Sequence, residues 1–117
     1  MNNEAPTLTV CFYRTGAGSE PVRDWLASLP REQKRLIGTH IMTVQIGWPV
    51  GMPLARKLEK ALWETRINLE DTTARVLFTA KGNTTVLLHG FIKKSQKTPT
   101  VELETARRRQ AALEQYI

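Results

Sequence analysis

A chain of 117 residues is long enough for one hydrophobic core and too short to divide comfortably into two, so a single domain over residues 1–117 is expected. Hydrophobic residues at 41% and charged residues at 24% exclude general disorder, and a net charge of +6 with a pI of about 9.9 favours phosphate-rich or acidic partners. The lone cysteine, Cys11, cannot form an internal disulfide, and no basic-then-apolar leader or run of about 18 apolar residues occurs. A cytoplasmic chain with no membrane partner is the expectation.

Residues 7–14, TLTVCFYR, are rich in β-branched and aromatic residues, with Leu8, Val10 and Phe12 on one side of the alternation, and read as a first strand in which Cys11 packs as a small apolar residue. Gly16 and Gly18 end it. Ser19 is placed to cap a short helix with Pro21 in its first turn and Val22, Trp25, Leu26 and Leu29 as its apolar stripe. A second helix follows Pro30, with Leu36, Ile37, His40, Ile41 and Val44 at helical spacing. His40, on that stripe, is expected to be structural. The glycines and prolines of GWPVGMP, residues 47–53, make a loop, and residues 55–60, ARKLEK, suit either a helical turn or an extended lead-in.

From residue 61 to 98 the chain reads as an antiparallel meander of three apolar runs separated by Glu70–Thr73 and by the Lys81–Thr84 turn. In the first run Trp63, Thr65, Ile67 and Leu69 alternate with Leu62, Glu64, Arg66 and Asn68, giving a core face and a polar face. A four-residue loop over 70–73 pairs Leu69 with Ala74 and Asn68 with Arg75, and places Arg66 and Arg75 together on the polar face. The second turn is open. A two-residue Gly82–Asn83 turn and a three-residue loop place His89 on opposite faces. Thr98 as cap and Pro99 at the first helical position begin a last helix with Leu103, Ala106, Gln110, Leu113 and Ile117 along one stripe. The order is strand, two helices, three strands, helix: an α+β fold with a small antiparallel sheet packed against two N-terminal helices and a C-terminal helix.

Two histidines and one cysteine offer no metal-ligand spacing, and the phosphate-loop, dinucleotide and nucleophile-elbow motifs are all missing from the sequence, so neither metal nor other cofactor is expected. What remains is cationic. A face carrying Arg66, Arg75, Lys93, Lys94 and Lys97 can stabilise extra negative charge on a phosphate, and RNA supplies its own nucleophile in the 2′-hydroxyl. Cleavage then needs a proton acceptor and a donor, for which Glu64, His89 and a lysine lowered in pKa by neighbouring cations are the candidates. Lys57, Lys60, Arg107 and Arg108 are candidate RNA contacts. Beside these stand plainer readings: a Lys-rich strand exit that discourages aggregation, a surface pair between Glu64 and Arg66, and a solvated arginine face on the last helix.

The stretches LARKLEKALWETR at 54–66, ARVLFT at 74–79 and VLLHGFIKKSQKTPTVELETARRR at 86–109 resemble the RelE/ParE superfamily of type II toxins, in particular its HigB-like, phage-derived branch. The resemblance implies a metal-independent, ribosome-dependent endoribonuclease that cleaves translated mRNA in the A site, and a cognate helix-turn-helix antitoxin through which DNA is met only indirectly. It places Arg75, at the start of an R-V-x-F strand, at the scissile phosphate, and Lys94 near a second functional cation. Glu64 and Arg66 fall where better-described relatives carry two basic residues, so the glutamate departs from the pattern. No tyrosine lies between Lys97 and Tyr116, so a C-terminal tyrosine mechanism does not carry over. The superfamily also includes toxins that block DNA gyrase by protein contact, and an inactive phage-derived relative is a third possibility.

Overall fold

The computed structural model describes residues 9–47, 55–93 and 98–114. Its elements are β1 (Thr9–Phe12), α1 (Pro21–Ala27), α2 (Arg31–Gly47), β2 (Arg56–Glu59), β3 (Leu62–Asn68), β4 (Thr73–Lys81), β5 (Thr84–Lys93) and α3 (Thr100–Glu114). The fold is α+β, with five strands in the order β1-β5-β4-β3-β2. The expected three-run meander is β3, β4 and β5; β2 extends it antiparallel at one edge, and β1 adds in parallel beside β5, so the sheet is mixed rather than antiparallel throughout. Of the expected features, Leu8, residues 48–53 of the loop, Lys94, Lys97 and Ile117 lie outside the described residues.

Apolar periodicity sets which face each helix covers. Val22, Ile37 and Val44 close over Ile67, Ala74, Val76, Phe78 and Leu87, with Trp25, Leu36 and Ile41 packed at the margin. Trp25 lies so close to Gly90 that a Cβ there would come within 2.3 Å of the indole, so only glycine fits beneath α1. His40 Nε2 and Thr65 Oγ1 lie 2.8 Å apart, joining α2 to β3 as a structural contact.

The other face is also covered, contrary to the expectation of a single core face. Leu62, Leu77, Leu88 and Phe91 form a second apolar cluster with Ala106 of α3. Alternation alone shows which residues share a face, but not that a helix arriving some forty positions later will cover it. Cys11 is exposed rather than packed.

Three local assignments change, and the open one at residues 55–60 is settled as extended. Ser19 does not cap α1: Pro21 occupies the first helical position, so the capping place falls to Glu20, and Ser19 instead bonds Thr15. Residues 56–59 are a strand, turned into β3 by Lys60 and Ala61, the latter at φ 57. The β3–β4 loop spans 69–72, closed by Leu69 N donating to Thr72 O at 2.9 Å, because Thr73 joins the strand. Arg66 therefore faces Arg75 and Asn68 faces Thr73, a shift of two from the expected pairing that leaves every side chain on its expected face. Thr98 does not cap α3: the Pro99 carbonyl accepts from Glu102 N and Leu103 N, and the Thr98 hydroxyl goes to the sheet.

The second hairpin resolves His89. The turn is the two-residue Gly82–Asn83, which by itself would put His89 opposite Val76. A bulge at Leu88 breaks the register between Leu77 and Phe78, so His89 faces Leu77 on the α3 side.

Candidate cationic site

Strand register assembles the site on the α3 face. Arg56 lies across from Glu64, Glu64 across from Leu77, and Leu77 across from His89. In the next row Arg66, Arg75 and Phe91 face one another, and one row further Thr73 faces Lys93. Cross-strand partners point to the same side, so three arginines and Lys93 share a face with Glu64 and His89.

Glu64 is the centre of this arrangement, and its side chain is fully buried. Its Oε1 accepts from Arg66 Nε at 2.8 Å and lies 3.9 Å from Arg56 Nη2, while Oε2 accepts from the Thr98 hydroxyl at 2.5 Å. A buried carboxylate is tolerable only with such partners. The expected pair between Glu64 and Arg66 is thus present, but half of it is interior rather than surface.

Arg75 is 1% exposed. Burial pushes its guanidinium below the usual arginine range, and nearby Arg66 and Arg56 push the same way while Glu64 opposes them. Like charges directly across a ladder destabilise a sheet. Three guanidiniums around one carboxylate leave a surplus of positive charge that an anion would complement.

His89 is engaged on both ring nitrogens. Nε2 donates to Glu102 Oε1 at 2.5 Å, and Arg109 Nη1, which donates to the Leu88 carbonyl at 2.8 Å, lies 3.3 Å from Nδ1. An arginine only donates, so Nδ1 is the acceptor and Nε2 carries the proton. The ring stacks on Phe91 with centroids 5.5 Å apart. Arg109 also stands over the Tyr13 ring. Its burial lowers its pKa, and the adjacent Arg108 adds to that shift.

The remaining candidates are dispersed. Lys93 is exposed at the end of β5, beyond Arg75. Lys57 pairs with Trp63 and so lies on the opposite face, and Lys60 is exposed in the turn at the far end of β3. Arg107 makes a two-point contact with Glu59 at 2.9 and 2.7 Å, and Arg108 is exposed. Arg56, Thr98, Glu102 and Arg109 are not among the site residues expected from sequence, where Thr98 is placed only as a helix cap. Arg56 lay in a segment of unassigned structure, and the other three acquire partners only through the docking of α3.

A small sheet with two helices on one face and one on the other, carrying cations at its centre, is consistent with a RelE-like fold. The chain belongs to the family described as phage derived protein Gp49-like (DUF891), which matches residues 24–111 and so spans the whole arginine cluster. That family is a RelE/ParE-like toxin family. No curated protein matches the chain. Among the described residues, no helix is long and apolar enough to cross a membrane.

Proposed function

We propose that this protein is a HigB-like toxin of a type II toxin-antitoxin system, acting as a ribosome-dependent endoribonuclease on mRNA in the A site. The observation carrying this reading is the direct opposition of Arg66 and Arg75, with Arg56 alongside, around a single buried carboxylate. Packing gains nothing from that concentration of like charge, whereas a phosphate accumulating charge during 2′-hydroxyl attack does. Arg66 and Arg56 reach solvent and would contact the phosphate, and Arg75 adds field from beneath. Glu64 serves as the charge that lets the arginines converge, since both its oxygens are engaged. Lys93 and Lys94 are the remaining proton-transfer candidates from the cationic exit of β5. A cognate helix-turn-helix antitoxin would restrain the activity in the cytoplasm and provide the only route to DNA.

The test is Arg66→Gln combined with Arg75→Lys, with folding checked by circular dichroism. Cleavage of translated mRNA, mapped by primer extension, should fall by about 10²–10³-fold, and growth arrest should be relieved. Wild-type cleavage by the folded double variant would sink the proposal.

One observation favours a second reading, a ParE-like toxin that acts by protein contact. Among the described residues, the two non-lysine candidates for the base, Glu64 and His89, already have their acceptor atoms engaged. Growth arrest without new mRNA ends, together with inhibited gyrase supercoiling, would establish that alternative.

A further inference from the structure

We propose that His89 and Arg109 form a proton-sensitive latch on α3: when His89 takes up a proton at Nδ1, Arg109 leaves the Leu88 carbonyl and the second half of the helix loosens from β5. The inference is independent of whether the arginine cluster cleaves RNA.

The latch is built on the bulge in β5. Leu88 is left out of the pairing with β4, and its carbonyl accepts from Arg109 Nη1 at 2.8 Å. The same nitrogen lies 3.3 Å from His89 Nδ1. One guanidinium nitrogen thus meets a backbone carbonyl and an imidazole lone pair together. That arrangement holds only while Nδ1 carries no proton, because an arginine has no lone pair to offer an N–H. On protonation, a proton from solvent occupies the Nδ1 lone pair and the ring becomes a cation. The hydrogen bond from Arg109 is then replaced by one N–H facing another.

Among the described residues, the charged groups that face the ring both come from α3. Glu102, in the first turn, accepts from Nε2 at 2.5 Å, and Arg109 follows about two turns later. From β4 the ring meets Leu77, and on β5 itself Phe91 stacks against it. Glu64 lies one strand beyond Leu77, with its oxygens held by Arg66 and Thr98. Protonation therefore acts in opposite senses on the two halves of α3: attraction to Glu102 grows, and repulsion of Arg109 begins. Glu102 keeps the first turn docked. Arg109 is the partner that yields, since it is only partly buried and its burial already disfavours its charge. Its departure takes away the donor to the Leu88 carbonyl and the cation over the Tyr13 ring.

The test is amide hydrogen exchange of the full chain, normalised for the intrinsic effect of pH, at about pH 7.5 and about pH 5.5, which bracket imidazole titration. Protection of residues 106–113 should fall about tenfold at the lower pH, the equivalent of one hydrogen bond to a charged group, while residues 102–105 keep theirs. His89→Gln, whose amide still donates to Glu102 and does not titrate, should abolish the response. His40→Gln should retain it, His40 being the other histidine of the chain. Nitrogen NMR of the imidazole in the unaltered chain needs no variant: at the higher pH, Nδ1 should be the unprotonated nitrogen. A protonated Nδ1 there overturns the proposal. So does equal protection at the two pH values, a response that survives His89→Gln, or a loss of protection that begins at Glu102.

Discussion

Single atoms decide how firmly the arginine cluster is held. The Thr98 hydroxyl is one of the donors to a carboxylate with no access to water, so losing it leaves Oε2 of Glu64 poorly compensated. Thr98→Val should lower unfolding free energy by about 1.5–3 kcal/mol, the range for hydrogen bonds to charged groups, and Thr98→Ser should restore most of it, both read from urea denaturation. Gly90 answers to a different force. A methyl group there meets the Trp25 ring at 2.3 Å, and the indole must shift to admit it. Gly90→Ala should therefore cost about 1–3 kcal/mol through overpacking, seen as a lowered Tm, whereas alanine at exposed Gly38, with open space around it, should do no harm.

At the scale of elements, α3 is attached to the sheet as much by polar contacts as by its short apolar stripe. Thr98 and Glu102 fasten its beginning to Glu64 and His89, while Arg107 and Gln110 fasten its later turns to Glu59 and the Ala61 carbonyl. Hydrogen bonding to Arg107 holds Glu59 below its ordinary 4.5. A depressed folded pKa means that the contribution is present above the unfolded value and fades as pH falls through the folded one. Stability should thus decline below about pH 4.5 more in the native chain than in Glu59→Gln. Because the pair is solvent-exposed, the difference should stay below about 1 kcal/mol, measured by thermal unfolding between pH 3 and pH 7.

For the molecule as a whole, the charge distribution sets how RNA is met. Arg56, Arg66 and Lys93 are the solvent-reaching cations of the α3 face described above, so about three phosphate contacts are expected. Binding of a single-stranded RNA should then fall with salt at a log–log slope of about −2, from roughly 0.7 per contact. Arg66→Gln should make the slope shallower. A slope unchanged by that substitution would place the RNA elsewhere on the surface.

The sequence by itself determined the α+β class, both N-terminal helices with their apolar stripes, and the sharing of one face by Arg66 and Arg75. These follow from periods of 3.6 and 2 that every residue in an element obeys, which is why a pairing shifted by two residues left the shared face intact. Tertiary structure alone decided that Leu62 and Glu64, on the polar face of β3, are buried on the α3 side, that Glu64 ends as an interior anchor, and that His89 turns toward that helix. A bulge at Leu88 reverses the parity of everything beyond it, and no turn signal announces it. The partners of Thr98, Glu102 and Arg109 likewise depend on where a helix comes to rest, a choice made by packing between residues far apart in the chain.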